Sequence, residues 1–297
     1  MNPARDPPWQ GSHLIFGTPR FAEIFARETG QVLVPFEGGM GFLSRQPVIG
    51  ASTFKVYHAS DSTAQGLAAI TTQARKARSA RLQIITTAPL VSPEPSRCQP
   101  LETRILDLGP GEEQLWEAIG PNTRRKIRRS KRAGVTAHLA ETDADFESFW
   151  SIYRRVASQK GFPAQPRSLV ETLFRDPSLT TLIVTRRAGV VIGGMFFWTE
   201  AYPVYWIGGF ERIAEAPYTG SLTLWEATRL FRDQGAALLD LGGADPTPGH
   251  GPTAFKDTFH GEVRMSYQST LTLSPLKGRL LDWGETLIRL GGRHIRR

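Results

Sequence analysis

The sequence contains one cysteine, Cys98, among its 297 residues. An intrachain disulfide and a cysteine-ligated metal cluster are both excluded, because each needs a second thiol. Cys98 lies in a proline-rich connector, and we interpret it as an incidental loop thiol rather than a nucleophile. The HExxH, G-x-S-x-G and Walker patterns are missing as well, and the six histidines are scattered. These absences argue against zinc hydrolases, serine hydrolases and P-loop enzymes.

Long hydrophobic runs are also missing. No uninterrupted apolar stretch approaches the roughly 20 residues that a membrane-spanning helix needs. The first residues, MNPARDPPWQGSH, lack the apolar core of a secretory signal. We therefore expect a cytoplasmic protein without a transmembrane segment.

The composition is that of a folded and basic protein. Hydrophobic residues make up 40% of the chain, which favours a packed core over disorder. The formal net charge is +8. A basic surface favours polyanions, which could be nucleic acid, a nucleotide-linked substrate or anionic lipid. Charge alone leaves all three open.

Alternating strand and helix patterns predict an α/β fold. Strand-like runs in the N-terminal part alternate with helical stretches at 19–29 and 62–79. After Gly134 the pattern restarts as a strand, two helices, three strands, a helix, a strand, a short helix and a strand. The predicted bounds in this part are 135–141, 143–160, 167–174, 181–186, 190–199, 202–210, 221–234 and 236–241, with a return strand before residue 268.

The last part of this pattern, residues 236–268, carries the leading catalytic candidate. It reads as a buried strand, a Gly-Gly exit, a loop rich in proline and glycine, a short helix and a return strand. Phe255 and Phe259 are four residues apart and therefore share one helical face. Lys256 lies one position round the helix and points elsewhere. This layout predicts a lysine beside an opening in the sheet.

The residues of this segment resemble a known family. Phe255–Gly261, FKDTFHG, is similar to the FK-x-x-F-G-G segment of the Fem family, aminoacyl-tRNA-dependent peptidyltransferases that build peptidoglycan cross-bridges. The preceding LLDLGGAD resembles the family's D-x-G-G strand, and residues 218–229 resemble its strand-to-helix passage. His260 departs from the pattern, because the family usually has glycine there. The resemblance covers roughly residues 120–270.

The resemblance implies a fold of the α/β (α+β) class with two tandem GNAT-like acyltransferase domains, each a mixed sheet flanked by helices. The expected domains are residues 1–133, a degenerate GNAT-like domain that ends in a basic helix, and 134–273, the catalytic domain. Residues 274–297 form a basic amphipathic tail that we expect to pack back on the first domain. A peripheral membrane contact toward a lipid-linked acceptor is the alternative for this tail.

The basic helix at 121–132, PNTRRKIRRSKR, has seven cationic residues out of twelve and no acidic one. Like charges four residues apart repel one another, and a polyanion would remove this cost. The alternative is a solvated helix neutralised by counterions. We expect Asn122 to cap the helix. A comparable helix in the Fem family favours tRNA binding by Arg124, Arg125, Lys126, Arg128, Arg129, Lys131 and Arg132.

The resemblance and the residues together predict an aminoacyltransferase that forms an amide bond. The donor would be aminoacyl-tRNA as co-substrate, with no cofactor, and the acceptor an amine of a peptidoglycan precursor or small peptide. Acetyl-CoA enzymes of this fold carry an R/Q-x-x-G-x-G/A loop, whereas residues 211–221 retain only Gly220 and contain two glutamates. The alternatives are an N-acyltransferase that uses acyl-CoA or a carrier-bound acyl group in polysaccharide or secondary-metabolite assembly, and a basic RNA-binding module.

The expected site residues follow from this hypothesis. Lys256, with Phe255 beside it in the matched motif, is assigned to catalysis as a cation near the carbonyl or the leaving ribose oxygen. Asp240 and Asp245 are possible proton acceptors, although a strand-end aspartate more often caps local amides. For the tryptophans, core packing is the alternative. The residues assigned to substrate binding are Trp206, Tyr218, Ser221, Trp225, Asp240, Asp245 and His260.

Overall fold

The computed structural model describes residues 18–36, 39–46, 50–57, 64–90, 96–199, 202–214, 218–243 and 251–294. The chain divides into two compact units. Unit 1 comprises Met1–Leu101 and Met265–Arg297, and unit 2 comprises Glu102–Arg264. None of the helices in the described ranges combines the length and the apolar character needed to cross a bilayer.

Unit 1 contains a mixed sheet with helices. Its strands are ordered β1-β2-β3-β4-β11; β3 and β4 are parallel and the other neighbouring pairs are antiparallel. Helix α1 ends at Gly30, whose left-handed φ of 67° suits a residue without a Cβ. The elements are α1 (Pro19–Thr29), β1 (Val32–Phe36), β2 (Gly39–Gln46), β3 (Ala51–Val56), α2 (Ala64–Lys76), β4 (Arg81–Thr86), and, at the other end of the chain, β11 (Glu262–Thr272) and α9 (Pro275–His294).

Helix α9 is fastened to unit 1 by one face. Leu281 is 3% exposed and packs with Ala51 and Ala80. The Arg81 guanidinium donates a hydrogen bond to the carbonyl oxygen of Gly278 at 3.0 Å and forms an ion pair with Asp282. An apolar contact and a buried arginine therefore hold the first turns of the tail against strands β3 and β4.

The strands of unit 2 run in mixed directions. They are ordered β5-β10-β9-β8-β7-β6, and only the β9–β10 pair is parallel among the pairs that we describe. The order of elements after Gly134 is the one that the sequence predicts. The elements are β5 (Ser96–Asp107), α3 (Glu112–Ala118), α4 (Pro121–Arg132), β6 (Val135–Leu139), α5 (Asp143–Lys160), α6 (Arg167–Phe174), β7 (Thr180–Arg187), β8 (Val190–Trp198), β9 (Val204–Phe210), α7 (Thr219–Asp233), β10 (Leu238–Asp240) and α8 (Gly251–Asp257).

Glycines in β8 and β9 let helix α5 lie close to the sheet. A Cβ on Gly194 would come within 2.9 Å of the Phe149 ring, and one on Gly209 within 2.9 Å of the Tyr153 Cα. The two glycines are register partners in adjacent strands. Their missing side chains therefore create the shallow surface on which α5 packs.

The division between the units differs from the predicted boundary at 133/134. Helix α4, expected at the end of the first domain, belongs to unit 2. The reason is that Ile127, fully buried, packs into the same apolar cluster as Leu222 and Leu224 of α7. A single isoleucine in a highly charged helix is a weak sequence signal, but it joins a large core.

Candidate active site

Strands β9 and β10 of unit 2 pair over a short length. The two strands pair through Asp240 and Val204 alone, with the Asp240 amide donating to the Pro203 carbonyl oxygen at 2.9 Å. Strand β9 continues to Phe210, whereas β10 ends at Asp240. Regular pairing therefore ends at Asp240, although Gly242 still lies against β9, since a Cβ on it would come 2.3 Å from the Tyr205 carbonyl oxygen. The opening that the sequence predicts beside the lysine stays a prediction.

Lys256 is buried beside the turn that follows β10. It belongs to helix α8, and the residue is 7% exposed. The Nζ atom donates hydrogen bonds to the carbonyl oxygens of Gly242 at 3.1 Å and Gly243 at 2.5 Å, and lies 5.6 Å from the centroid of the Tyr205 ring. Two carbonyl dipoles and an aromatic face are partners that suit a cation. The ammonium group is thus fixed in one position.

Burial changes the protonation of this lysine. Desolvation lowers the pKa of Lys256 to about 8, although the negative charge of Asp240 acts in the opposite direction. The positive charge of Arg104 adds to the lowering. Lys256 is therefore mostly cationic at neutral pH and loses its proton in a moderately alkaline solution.

Asp240 shapes the turn that receives Lys256. Its carboxylate is fully buried, and Oδ1 accepts a hydrogen bond from the Gly242 amide at 2.7 Å. The Thr103 hydroxyl lies within hydrogen-bond distance of both Asp240 Oδ1 and the Gly242 carbonyl oxygen. It has one O–H and can donate to only one of them at a time. Oδ2 has no hydrogen-bond partner within the described part of the chain. Burial raises the pKa of Asp240 to about 6, against the opposing effect of the Thr103 and Gly242 hydrogen bonds.

Arg104 connects α8 to the same strand, β5, that carries Thr103. Its Nε donates to Asp257 Oδ1 at 2.6 Å, and a second nitrogen contacts Glu102 at 2.8 Å. The Arg104 side chain is buried, whereas the Asp257 side chain is half exposed. Because Asp257 directly follows Lys256, this clamp fixes the end of the helix that presents the lysine.

The backbone at Gly242 yields a prediction about this site. Gly242 has a φ of 74°, and a Cβ there would lie 2.3 Å from the Tyr205 carbonyl oxygen. We expect Gly242→Ala to lower the free energy of unfolding by about 2 kcal/mol and to reduce activity, since the displaced turn can no longer hold Lys256. Denaturant unfolding measures the first effect. Gly243→Ala is the matched control for stability, because its Cβ would meet nothing within 4 Å; equal stability of the two variants would contradict the prediction.

The basic helix α4 presents its cations around a narrow buried stripe. Thr123, Ile127 and Ser130 face inward. The helix begins at Pro121 with Gly120 as its N-cap, so the predicted capping role of Asn122 is wrong; proline's fixed φ and missing N–H suit the first helical position.

Four of the seven cations already have partners in unit 2. The Lys126 ammonium and the Arg129 guanidinium lie 5.2 and 5.7 Å from the centroid of the Tyr218 ring. Arg128 covers Trp116 at 5.4 Å, and Lys131 pairs with Glu226 at 2.8 Å. Within the described ranges, Arg124, Arg125 and Arg132 have no such contact. These three side chains could therefore bind a partner molecule outside the unit.

The other predicted binding residues do not gather around Lys256. Trp206 contacts Phe196 and Trp198 on the sheet face that packs on α5, whereas Tyr205 lies beneath Lys256. Trp206, which was assigned to substrate binding, therefore lies on the sheet face opposite to Lys256, because adjacent strand residues point to opposite faces. Trp225 stacks on Trp116, with ring centroids 5.0 Å apart, inside the apolar cluster. It is a core residue rather than a cleft residue.

The remaining predicted residues have varied surroundings. Phe255 is half-buried, and its ring centroid lies 5.9 Å from that of Phe259. The two rings are in contact, although α8 ends at Asp257 and Phe259 lies in the turn that follows it. Ser221 is buried in the first turn of α7. His260 is exposed and has a φ of 53°, a conformation that explains why glycine suits this position. Asp245 lies outside the described residues.

Residues that sequence reasoning missed complete the site. Thr103, Arg104 and Tyr205 all contact Asp240, Lys256 or its neighbour Asp257. Their sequence signal is weak, because residues 101–108, LETRILDL, mix charged and apolar types without a recognisable motif. Their distance along the chain from Lys256 hides the association.

Comparison with known proteins gives the class of fold. Residues 121–257 match the family described as acetyltransferase (GNAT) domain. Among solved structures, FemX has a TM-score of 0.64 at 12% identity, over 85% of this chain and 91% of FemX. L-PGS from Bacillus licheniformis has a TM-score of 0.61 at 11% identity, over 95% of this chain and 98% of its own. No curated protein matches the sequence.

A third solved structure is also similar in fold. The C-terminal domain of a putative lysylphosphatidylglycerol synthetase from Agrobacterium fabrum has a TM-score of 0.61 at 15% identity, over 93% of this chain and 95% of that domain. At such identities the likeness concerns the fold alone. The chain has a GNAT-type acyltransferase fold, and both the predicted fold class and the resemblance to Fem proteins are confirmed at this level.

Proposed function

We propose that this protein is an aminoacyltransferase that moves an amino acid from aminoacyl-tRNA to an amine of a peptidoglycan precursor or small peptide, and so forms an amide bond. The main support for the proposal is the ammonium group of Lys256, which the carbonyl oxygens of Gly242 and Gly243 fix beside the end of β10 in a GNAT-type sheet. The FK-x-x-F motif and the fold shared with FemX support the same reaction.

The hydrogen bonds of Lys256 leave one donor unused. A protonated lysine has three N–H donors, and the carbonyl oxygens of Gly242 and Gly243 accept two of them. Within the described residues the third N–H has no acceptor, and we assign it to an oxygen of the donor ester. A preorganised cation in a buried site stabilises negative charge that develops in the transition state far better than water does.

The reaction needs no covalent enzyme intermediate. The acceptor amine attacks the ester carbonyl carbon, a C–N bond forms, and the C–O bond to the terminal ribose breaks. The amine loses a proton and the ribose oxygen gains one, so the products are an amide and uncharged tRNA. Lys256 would stabilise the oxyanion or the leaving oxygen, while the sheet opening aligns the two substrates.

Ribonuclease treatment tests the donor. Purified protein is mixed with a set of aminoacyl-tRNAs and candidate amine acceptors, including a muropeptide, and the amide product is measured by mass spectrometry. Treatment of the charged tRNA with ribonuclease before mixing should abolish the product, whereas ribonuclease with its inhibitor should not. Product formation that survives digestion of the RNA would refute the proposal.

The protonation of Lys256 predicts a pH dependence. Because the cation is the useful form and its pKa is about 8, the contribution of Lys256 to kcat is present below that pH and lost above it. Initial rates measured on both sides of this value, with saturating substrates, should show a descending alkaline limb. The Lys256→Met variant should lack the alkaline limb. If the limb persists in this variant, another group titrates there.

A CoA-dependent N-acyltransferase is the second candidate, because the matched family is described as an acetyltransferase. Its donor would be an acyl-CoA or carrier-bound thioester, and its products would belong to polysaccharide or secondary-metabolite assembly. Titration calorimetry with CoA and acetyl-CoA distinguishes the two candidate functions. Heat of binding at micromolar CoA would favour this candidate, and its absence would favour the tRNA donor.

A further inference from the structure

Helix α9 carries an apolar stripe that faces away from unit 1. Leu276, Leu280 and Trp283 are 78%, 46% and 75% exposed. They are spaced four and three residues apart, so they lie on one helical face. Leu281 occupies the buried side of the same helix. A helix that is held by one face and apolar on the other is the kind of surface that marks an interaction site.

Basic side chains surround this stripe. Lys277 and Arg279, exposed on the same turns, flank Leu276 and Leu280. The acidic Asp282 is neutralised by its ion pair with Arg81. Over residues 275–297 the sequence has six basic and two acidic residues.

A second basic group adjoins the start of the helix. The Ala80 carbonyl oxygen accepts hydrogen bonds from the amides of Leu273 at 2.9 Å and Ser274 at 3.1 Å. This ties the turn that follows α2 to the segment that precedes α9. The same turn and the end of α2 carry exposed Lys76 and Arg78. The two segments joined by these hydrogen bonds therefore both carry exposed positive charge.

We propose that this face of unit 1, formed by Leu276, Leu280 and Trp283 and the surrounding Lys76, Arg78, Lys277 and Arg279, docks on an anionic lipid membrane. An apolar stripe bordered by cations is the pattern of helices that lie in the membrane interface, where tryptophan also prefers to be. Phosphates of nucleic acid would satisfy the cations but leave the leucines and Trp283 in water. The combination therefore favours lipid.

Vesicle sedimentation of the full chain tests this inference. The protein should cosediment with vesicles of mixed phosphatidylcholine and phosphatidylglycerol, and much less with phosphatidylcholine alone. Leu276→Ala/Trp283→Ala should lower the partition coefficient by at least about tenfold, because buried apolar area drives interfacial binding. Lys277→Ala/Arg279→Ala should lower the partition coefficient by about twenty-five-fold on the anionic vesicles, since each cation near such a surface contributes about fivefold.

The matched control removes two exposed apolar residues from unit 2. Val190 and Val263 are 64% and 50% exposed, and Val190→Ala/Val263→Ala should bind vesicles as the unaltered chain does. Circular dichroism checks that every variant is folded. Absence of vesicle binding, or equal loss in the control, would overturn the inference.

Two further experiments distinguish a lipid membrane from two other binding partners of this face, a second copy of the chain and nucleic acid. A dimer in sedimentation velocity that Trp283→Ala converts to a monomer, without vesicle binding, would assign the stripe to a second copy of the chain. Transfer RNA that binds the unaltered chain but not Lys277→Ala/Arg279→Ala, again without vesicle binding, would assign it to nucleic acid. Either result overturns the lipid inference. Vesicle binding is measured without donor or acceptor, so it succeeds or fails independently of the proposed aminoacyl transfer.

Discussion

Lys256→Met is expected to lower kcat by about 10²–10³-fold without unfolding the protein. The loss corresponds to removal of one preorganised donor from a developing oxyanion in a buried site. Methionine has a similar length and no charge, so the variant deletes the cation and retains much of the packing. Initial rates with saturating charged tRNA and acceptor measure the effect, and thermal melting checks the fold.

The control for this substitution is Lys160→Met. Lys160 ends helix α5 and is exposed, so the same chemical change at that position should leave rate and stability unchanged. A near-normal rate for Lys256→Met would remove the lysine from the reaction. Equal losses in both variants would indicate that the assay responds to net charge rather than to the site.

Arg125→Ala/Arg132→Ala is expected to weaken binding of aminoacyl-tRNA by about a hundredfold at roughly 0.1 M salt. Both side chains are exposed on α4 and, within the described ranges, neither has an ion-pair or aromatic partner. Removing one cation that binds a phosphate should reduce the slope of log affinity against log salt by about one. Filter binding at several salt concentrations gives both the affinity and the slope.

A pair of exposed cations on α5 provides the control for α4. Arg154→Ala/Lys160→Ala removes the same amount of positive charge from another surface of unit 2. This double variant should retain nearly full affinity and an unaltered slope. If both double variants lose affinity equally, the attraction is a property of net charge, and α4 is not a defined tRNA surface.

Much of the fold of unit 2 was predictable from the sequence. The expected helices at 143–160 and 167–174 have the observed bounds, because capping residues and apolar periodicity act locally. For α5, Thr142 and Asp145 form a capping box that the sequence displays. The placement of α4 was not predictable in this way, since its one buried apolar residue, Ile127, finds its partners on α7.

The candidate site was only partly predictable. The motif around Lys256 and the D-x-G-G strand with Asp240 can be read from neighbouring residues, and the structure brings these two segments together. The tryptophans were assigned to the cleft from their type, but Trp225 is drawn into the core and Trp206 to the other sheet face. Large aromatic side chains bury wherever area is available, and that depends on the whole fold.

The sequence by itself determined the α/β alternation, the lysine in its short helix and the dense charge of α4, because each depends on residues a few positions apart. Only the tertiary structure decided that Thr103 and Arg104 would meet Asp240 and Asp257, and that Lys256 would be desolvated. These contacts join segments more than a hundred residues apart, and burial is a property of everything that surrounds a group. The lysine's type is local, but its pKa and its fixed position are set by the fold.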